Sequence, residues 1–253
     1  VIYIKTKTEI DFIRESCRLV AETLQLVKGH IREGITTREL DQIAEDYILS
    51  NNAVSASKGY APGWAPPYPA AICISVDDEV VHGIPGDRVL KNGEIVSLDI
   101  TVKKNRYFGD AALTVAVGEI SEDKKKLMAV TERSLYLGIA EVKEDNRIHD
   151  ISAAVQEYVE SNGFSVVRDL TGHGVGKFLH EDPSIPNFGV RGTGKKLKSG
   201  MTIAIEPMVN MGKYDVVTAR DGWTIKTKDA SPAAHYEHTV LVNKNQCEIL
   251  TVC

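Results

Sequence analysis

Four acidic residues stand inside or against apolar, strand-like runs: Asp99 in "EIVSLDITV", Asp110 opening "AALTVAV", Glu206 in "MTIAIEP" and Glu237 in "HYEHTVLV". Side chains alternate faces along a strand. Asp99 therefore shares a face with Ile95, Ser97 and Thr101, and Val96, Leu98, Ile100 and Val102 take the other. Glu206 falls with Thr202 and Ala204, and Glu237 with His235 and Thr239. One acid on a wet antiparallel face needs no explanation. Four such acids do, because Asp is depleted in strands and an unpaired buried carboxylate is costly. The basic residues nearby (Lys103, Lys104, Lys213) lie in turn-like stretches. The remaining partner for clustered carboxylates is a metal cation. His173, between the glycines of "TGHGVG", adds a nitrogen. Oxygen-rich ligands with one imidazole suit Co, Mn, Fe(II) or Zn. Asp99, Asp110, His173, Glu206 and Glu237 offer more oxygens than one ion needs. The expected count is two divalent ions, roughly 3.5–4 Å apart and bridged by carboxylates.

The elements that must position these residues come twice. A helix is predicted over 8–28, capped by Thr8, with Ile10, Ile13, Cys17, Val20, Leu24 and Val27 on one side. A second runs over about 36–51, with Thr36 and Glu39 in capping-box spacing. Strands follow in "AICISV", "EVVHGI", "EIVSLDITV" and "RYFGDAALTVAV", the last two joined at Lys104 and Asn105. The order then restarts, with a helix over about 122–142 capped by Ser121 and another near 150–162 closed by Gly163. The stripe Leu40, Ile43, Ala44, Tyr47, Ile48 returns as Ile151, Ala154, Val155, Tyr158, Val159, an offset of 111. "LKNGEIVSLDI" returns as "LKSGMTIAIEP" at an offset of 107, pairing Asp99 with Glu206. Two agreeing near-repeats imply an internal duplication. The fold class expected is α+β, in one catalytic domain over 1–253 with halves of about 1–118 and 119–253.

The composition is that of a globular chain: 253 residues, 43% hydrophobic and 26% charged. A net charge of −5 gives no electrostatic case for nucleic acid or an anionic membrane. Cys17, Cys73, Cys247 and Cys253 form no C-x-x-C and no disulfide framework, so free thiols are expected. No secretory h-region and no spanning apolar run is seen, and the expected location is cytoplasmic. Two glycine-rich stretches imitate phosphate loops. "GVRGTGKK" lacks the Ser/Thr after lysine, a preceding strand and a following helix, and "GHGVGK" has the wrong spacing.

An ordered set of motifs spans nearly the whole chain: "VVHGIP", "SLDITV", "FGDAALT", "TGHGVG", "LHEDPSIPN", "IAIEPMV", "DGWTIKTKD" and "HYEHTVLV". Together they resemble the methionine aminopeptidases of the short, bacterial type I form. The resemblance implies a pita-bread fold: two pseudo-symmetric αβ halves with a central curved antiparallel sheet covered by helices. It implies a dinuclear-metal aminopeptidase that removes the N-terminal methionine from nascent proteins and peptides with a small second residue. The five candidate ligands match that family's site. A metal-bridging hydroxide would attack the scissile carbonyl, with Glu206 as proton shuttle. His82 and His180 match the outer histidines that bond the scissile peptide or the tetrahedral intermediate.

For the methionine side chain the resemblance implies a pocket at Cys73, Tyr68 and Trp223, contacts that suit a polarizable thioether. The proline-rich "GWAPPYPAA" departs from the shorter, glycine-rich loop of the family, and His235 stands where glutamine is common. Thr101 and Thr239, each two residues past a ligand, are expected to orient carboxylates. His30, His149 and His238 are read as structural or surface residues. The implied partners are nascent polypeptide N-termini, with the ribosome as a further one, and a monomer is expected. Proline-specific peptidases of the same fold carry a large N-terminal domain, and type II methionine aminopeptidases an inserted helical segment; neither is read here. Non-enzymatic relatives have degraded sites, whereas all five ligands are present.

Overall fold

The first helix is capped two residues earlier than expected. In the computed structural model, which describes residues 1–63 and 65–252, Thr6 rather than Thr8 is the N-cap. Glu9 reciprocates by accepting from the Thr6 backbone N–H at 2.7 Å. Helix α1 then spans Lys7–Lys28 and α2 spans Thr37–Ser50, the latter with the Thr36–Glu39 capping box expected. Strands β1 (Val54–Ser55), β2 (Cys73–Val76), β3 (Glu79–Val81), β4 (Ile95–Lys104) and β5 (Tyr107–Ala116) complete the first run. The β4–β5 hairpin turns at Asn105 and Arg106, both at positive φ, one residue later than predicted, because Lys104 still pairs with Tyr107.

The second run opens with α3 (Glu122–Ala140), capped by Ser121, and α4 (Ile148–Ser161), followed by Gly163 at positive φ as expected. Helices α2 and α4 are each 14 residues long, at the offset of 111 read from their stripes. Strands β6 (Ser165–Val166), β7 (Thr171–Gly174), β8 (Glu181–Pro186), β9 (Thr202–Ile205) and β10 (Met208–Asn210) come next. They are followed by β11 (Val216–Thr218), β12 (Ile225–Thr227), β13 (Ala233–His235), β14 (Glu237–Leu241) and β15 (Glu248–Ile249).

The main sheet is antiparallel, ordered β1-β4-β5-β14-β9-β7-β8, with β2 also on β4 and β15 on β14. Two smaller sheets, β13-β10-β6 and β11-β12-β3, flank it. One face of the main sheet packs on helices in two separate cores. Val96, Leu98, Ile100 and Val102 meet the α1 and α2 residues Leu24, Leu40 and Ile48. Ile203, Ile205 and Val240 meet Leu135, Ile151 and Val155 of α3 and α4. This is the alternation the sequence gives these strands, and it leaves the acids on the opposite face. Among the described residues no helix is long and apolar enough to cross a membrane. Cys17, Cys73 and Cys247 are free thiols, and Cys253 lies outside the described residues.

Candidate active site

Strand register gathers the acids into two neighbouring rows. Cys73 pairs with Asp99, Asp99 with Ala112, and Ala112 with Glu237. In the next row Thr101 pairs with Asp110, while His173 pairs with Ala204 and Ala204 with Thr239. Directly opposed residues in a ladder are about 4.5–5.5 Å apart, so adjacent rows form one cluster. Glu206 lies one residue past β9, and Tyr236 interrupts the strand between His235 in β13 and Glu237 in β14. The sequence reads each of these as one continuous strand; the structure breaks them where the site begins. His173 comes this close because its neighbours are glycines. A Cβ on Gly172 would lie 2.4 Å from the Ala204 carbonyl oxygen, and one on Gly174 2.5 Å from that of Asp182.

All five candidate ligands line a single cavity of about 360 Å³, a size that takes a small ligand. Ligand atoms of Asp110, His173 and Glu237 all lie within 4.8 Å of one another. Glu206 Oε1 is 3.5 Å and Asp110 Oδ2 3.7 Å from His173 Nε2. Asp99 joins them on the cavity wall. Burial pushes its carboxyl up to about 7. Burial and then neighbouring acids raise Asp110, Glu206 and Glu237 well above the usual carboxylate range. Burial lowers His173 to about 3, His180 adding to the effect, which leaves a neutral imidazole with a lone pair to give. Among the described residues none of the four carboxylates pairs with lysine or arginine, and Glu237 Oε1 is buried without a hydrogen-bond partner. That donor set fits a divalent cation.

Supporting contacts converge on Asp110. Thr101 donates its hydroxyl to Asp110 Oδ1 at 3.1 Å. Thr239 Oγ1 donates to the Asp110 carbonyl at 2.7 Å and accepts from its N–H at 3.2 Å. Each threonine thus serves the ligand across the ladder rather than the one two residues before it. His235 is buried, with both ring nitrogens unpartnered and Nε2 3.9 Å from Glu206 Oε2.

The residues expected to meet substrate, Tyr68, Cys73, His82, His180 and Trp223, line the same cavity. Tyr68 donates its hydroxyl to the Gly83 carbonyl at 2.7 Å, and its ring meets Trp223 edge-on at 5.2 Å. Trp223 donates its indole N–H to the Pro66 carbonyl at 2.8 Å, so the proline-rich loop braces this wall. His82 stands at φ 59°, a costly conformation for a side-chain-bearing residue, with Nδ1 buried and unpartnered. The His180 ring sits edge-on to His173 at 4.5 Å. Burial lowers both, His82 to about 4.

Sequence reasoning missed Tyr60, whose hydroxyl bonds His180 Nδ1 at 3.1 Å. A tyrosine ahead of a Gly/Pro-rich loop has no periodicity to mark it. Its place follows from the loop closing on itself, Gly59 N to Tyr68 O at 2.8 Å and Tyr68 N to Tyr60 O at 2.9 Å. The histidines read as structural have partners elsewhere: His30 on Leu26, His149 on Thr193, and His238 on Thr251 and Tyr136.

The sequence profile of metallopeptidase family M24 matches residues 11–244. The chain belongs to metallopeptidase family M24. Within M24 it is 51% identical to a methionine aminopeptidase of Clostridium perfringens over 251 residues, covering 99% of each chain. It is 50% identical to methionine aminopeptidase 1 of Bacillus subtilis, again over 99% of each. The crystal structure of a Thermotoga maritima methionine aminopeptidase superposes with a TM-score of 0.97 at 44% identity, covering 100% of both chains. The fold is the pita-bread fold of M24, as the motifs implied.

Proposed function

We propose that this chain is a methionyl aminopeptidase, a metal-dependent exopeptidase that removes N-terminal methionine from chains with a small second residue. The observation that carries the reading is one cavity joining two chemistries. Four lysine-free carboxylates and His173 form one wall, and Cys73, Tyr68 and Trp223 another. A methionine side chain among the second group brings its own carbonyl to the first.

Asp99, Asp110, His173, Glu206 and Glu237 would hold two divalent ions, of Co, Mn, Fe(II) or Zn. Bound ions supply an acidified water and a Lewis acid for the scissile carbonyl. Glu206 then takes the water's proton and hands it to the leaving amine. His82 and His180, neutral near pH 7, donate hydrogen bonds to the scissile peptide and to the tetrahedral intermediate as negative charge develops. The whole of 1–253 acts as one catalytic domain with halves at about 1–118 and 119–253, its ligands drawn from both. Nascent polypeptide N-termini, met at the ribosome by a cytoplasmic monomer, are the proposed partners.

A peptide panel tests the reading. Metal-loaded protein is expected to release Met from Met-Ala-Ser and to leave Ala-Pro intact; the reverse pattern would sink it. Chelation is expected to abolish release and added Co(II) or Mn(II) to restore it. Full release by chelated protein would rule out metal catalysis.

A further inference from the structure

One ion pair among the described residues has both side chains sealed from solvent. Lys5 Nζ lies 2.6 Å from Glu181 Oε2, with side chains 1% and 0% exposed. Glu181 directly follows His180. Its other oxygen, Oε1, accepts from the backbone N–H of Lys177 at 2.6 Å and of Phe178 at 3.0 Å. The carboxylate therefore closes the 177–181 turn from inside, and Lys5 ties that turn to the segment leading into α1.

Lys5 is itself fixed at both ends. Its N–H donates to the Gly200 carbonyl at 2.8 Å, and its stem packs where a Cβ on Gly176 would lie 3.0 Å from Lys5 Cε. A second tie joins the same pieces, Lys177 Nζ to Glu9 Oε1 at 2.7 Å. Burial pulls the Lys5 ammonium below its ordinary range, and the Glu181 hydrogen bond opposes that pull. A well-packed apolar pair often serves stability as well as a buried ion pair does. An apolar pair could not hold two backbone N–H groups, and those groups belong to the turn that carries His180.

We propose that Lys5 and Glu181 are positioning residues for His180, clamping the 177–181 turn so that its imidazole stays over His173 with Nδ1 on Tyr60 and Nε2 left for the substrate. The proposal rests on the reading of His180 as a substrate-contacting group.

The test uses full-length protein. K5M alone would leave a buried carboxylate unpaired, so the main variant is K5M/E181L, which replaces the pair with apolar side chains. K5M/E181Q, neutral and nearly isosteric, is the second variant. The first readout is the set of His180 ring resonances in the metal-free protein, which carry the ring-current effects of Tyr60 and His173. The second is kcat against KM for Met-Ala-Ser with Mn(II), also in an H180A background.

K5M/E181L is expected to fold, to lose the His180 shifts, and to drop kcat about 100-fold, the scale of a lost oxyanion donor, with KM nearly unchanged. In H180A it should cost nothing further. K5M/E181Q, which keeps the Glu181-type acceptor but not the Lys5 tie, should show the same changes in smaller measure. Wild-type His180 resonances and kcat in either folded variant would overturn the proposal, as would a loss that multiplies with that of H180A. If H180A itself keeps full kcat, the catalytic reading of His180 fails, while the resonance shifts still decide whether the pair positions it.

Discussion

Thr101 faces Asp110 directly across the β4–β5 ladder and donates its hydroxyl to Asp110 Oδ1 at 3.1 Å. A ligand held this way loses little entropy when it binds a cation. T101V keeps the β-branched shape and removes the donor. It is expected to fold normally and to weaken divalent-metal affinity about 10–100-fold, measured by titration calorimetry. Unchanged affinity would show that the β-strand alone orients Asp110.

E206Q removes the proton shuttle and one candidate ligand charge while conserving shape. The expected result is a fall in Met release of about 10²–10⁴-fold at saturating metal, with an unchanged circular dichroism spectrum. Turnover near wild type would remove Glu206 from the mechanism.

His82 and His180 approach the cavity from different loops, and both are neutral near pH 7. H82A and H180A are each expected to lower kcat about 100-fold with little change in KM, since a donor that acts on developing charge leaves ground-state binding alone. Raised KM at constant kcat would assign them to substrate binding only.

Gly172 packs its Cα against the Ala204 carbonyl, where a Cβ would come to 2.4 Å from backbone oxygen. G172A must push β7 away from β9, and overpacking of this kind costs about 1–3 kcal/mol. Urea denaturation should show that loss, together with weakened metal binding through the displaced His173. A variant as stable as wild type would mean that β7 is freer than the contact implies.

Glu9 carries the pH dependence of the first helix cap. The Lys177 hydrogen bond, followed by the Thr6 backbone N–H, holds its carboxyl at about 2, below the ordinary 4.5. A depressed acid stabilises the fold above its unfolded value, and that contribution drains away as pH falls from about 4.5 through about 2. E9Q is therefore expected to be less stable than wild type at neutral pH and to converge with it in acid. Parallel stability curves down to pH 2 would dismiss the effect.

The parts of the fold legible in the sequence are those with a period. Apolar stripes marked three of the four helices, and alternation set Val96, Leu98, Ile100 and Val102 on the face opposite Asp99, where they pack on the helices. Caps were legible where one side chain matched one turn, as at Thr36 and Ser121. At the first helix Thr6 and Glu9 stand in the same capping-box spacing as Thr36 and Glu39, a signal that favours Thr6 over Thr8, and Thr6 is the cap. Tyr60 was not legible, because a loop residue's address depends on how the loop closes.

The sequence by itself determined that acids enter apolar strands and that two of them, Asp99 and Glu206, recur at a fixed offset. Those properties follow from local alternation and composition. Tertiary structure decided the register that puts Asp99, Ala112 and Glu237 in one row and Thr101 with Asp110 in the next. It also decided that Thr101 and Thr239 both serve Asp110, and that Lys5 reaches Glu181 across 176 residues of chain. Such pairings are fixed by packing between distant segments. A one-residue slip in any of these strands would turn its acid away from the site, and no local pattern in the sequence specifies which strand lies beside which.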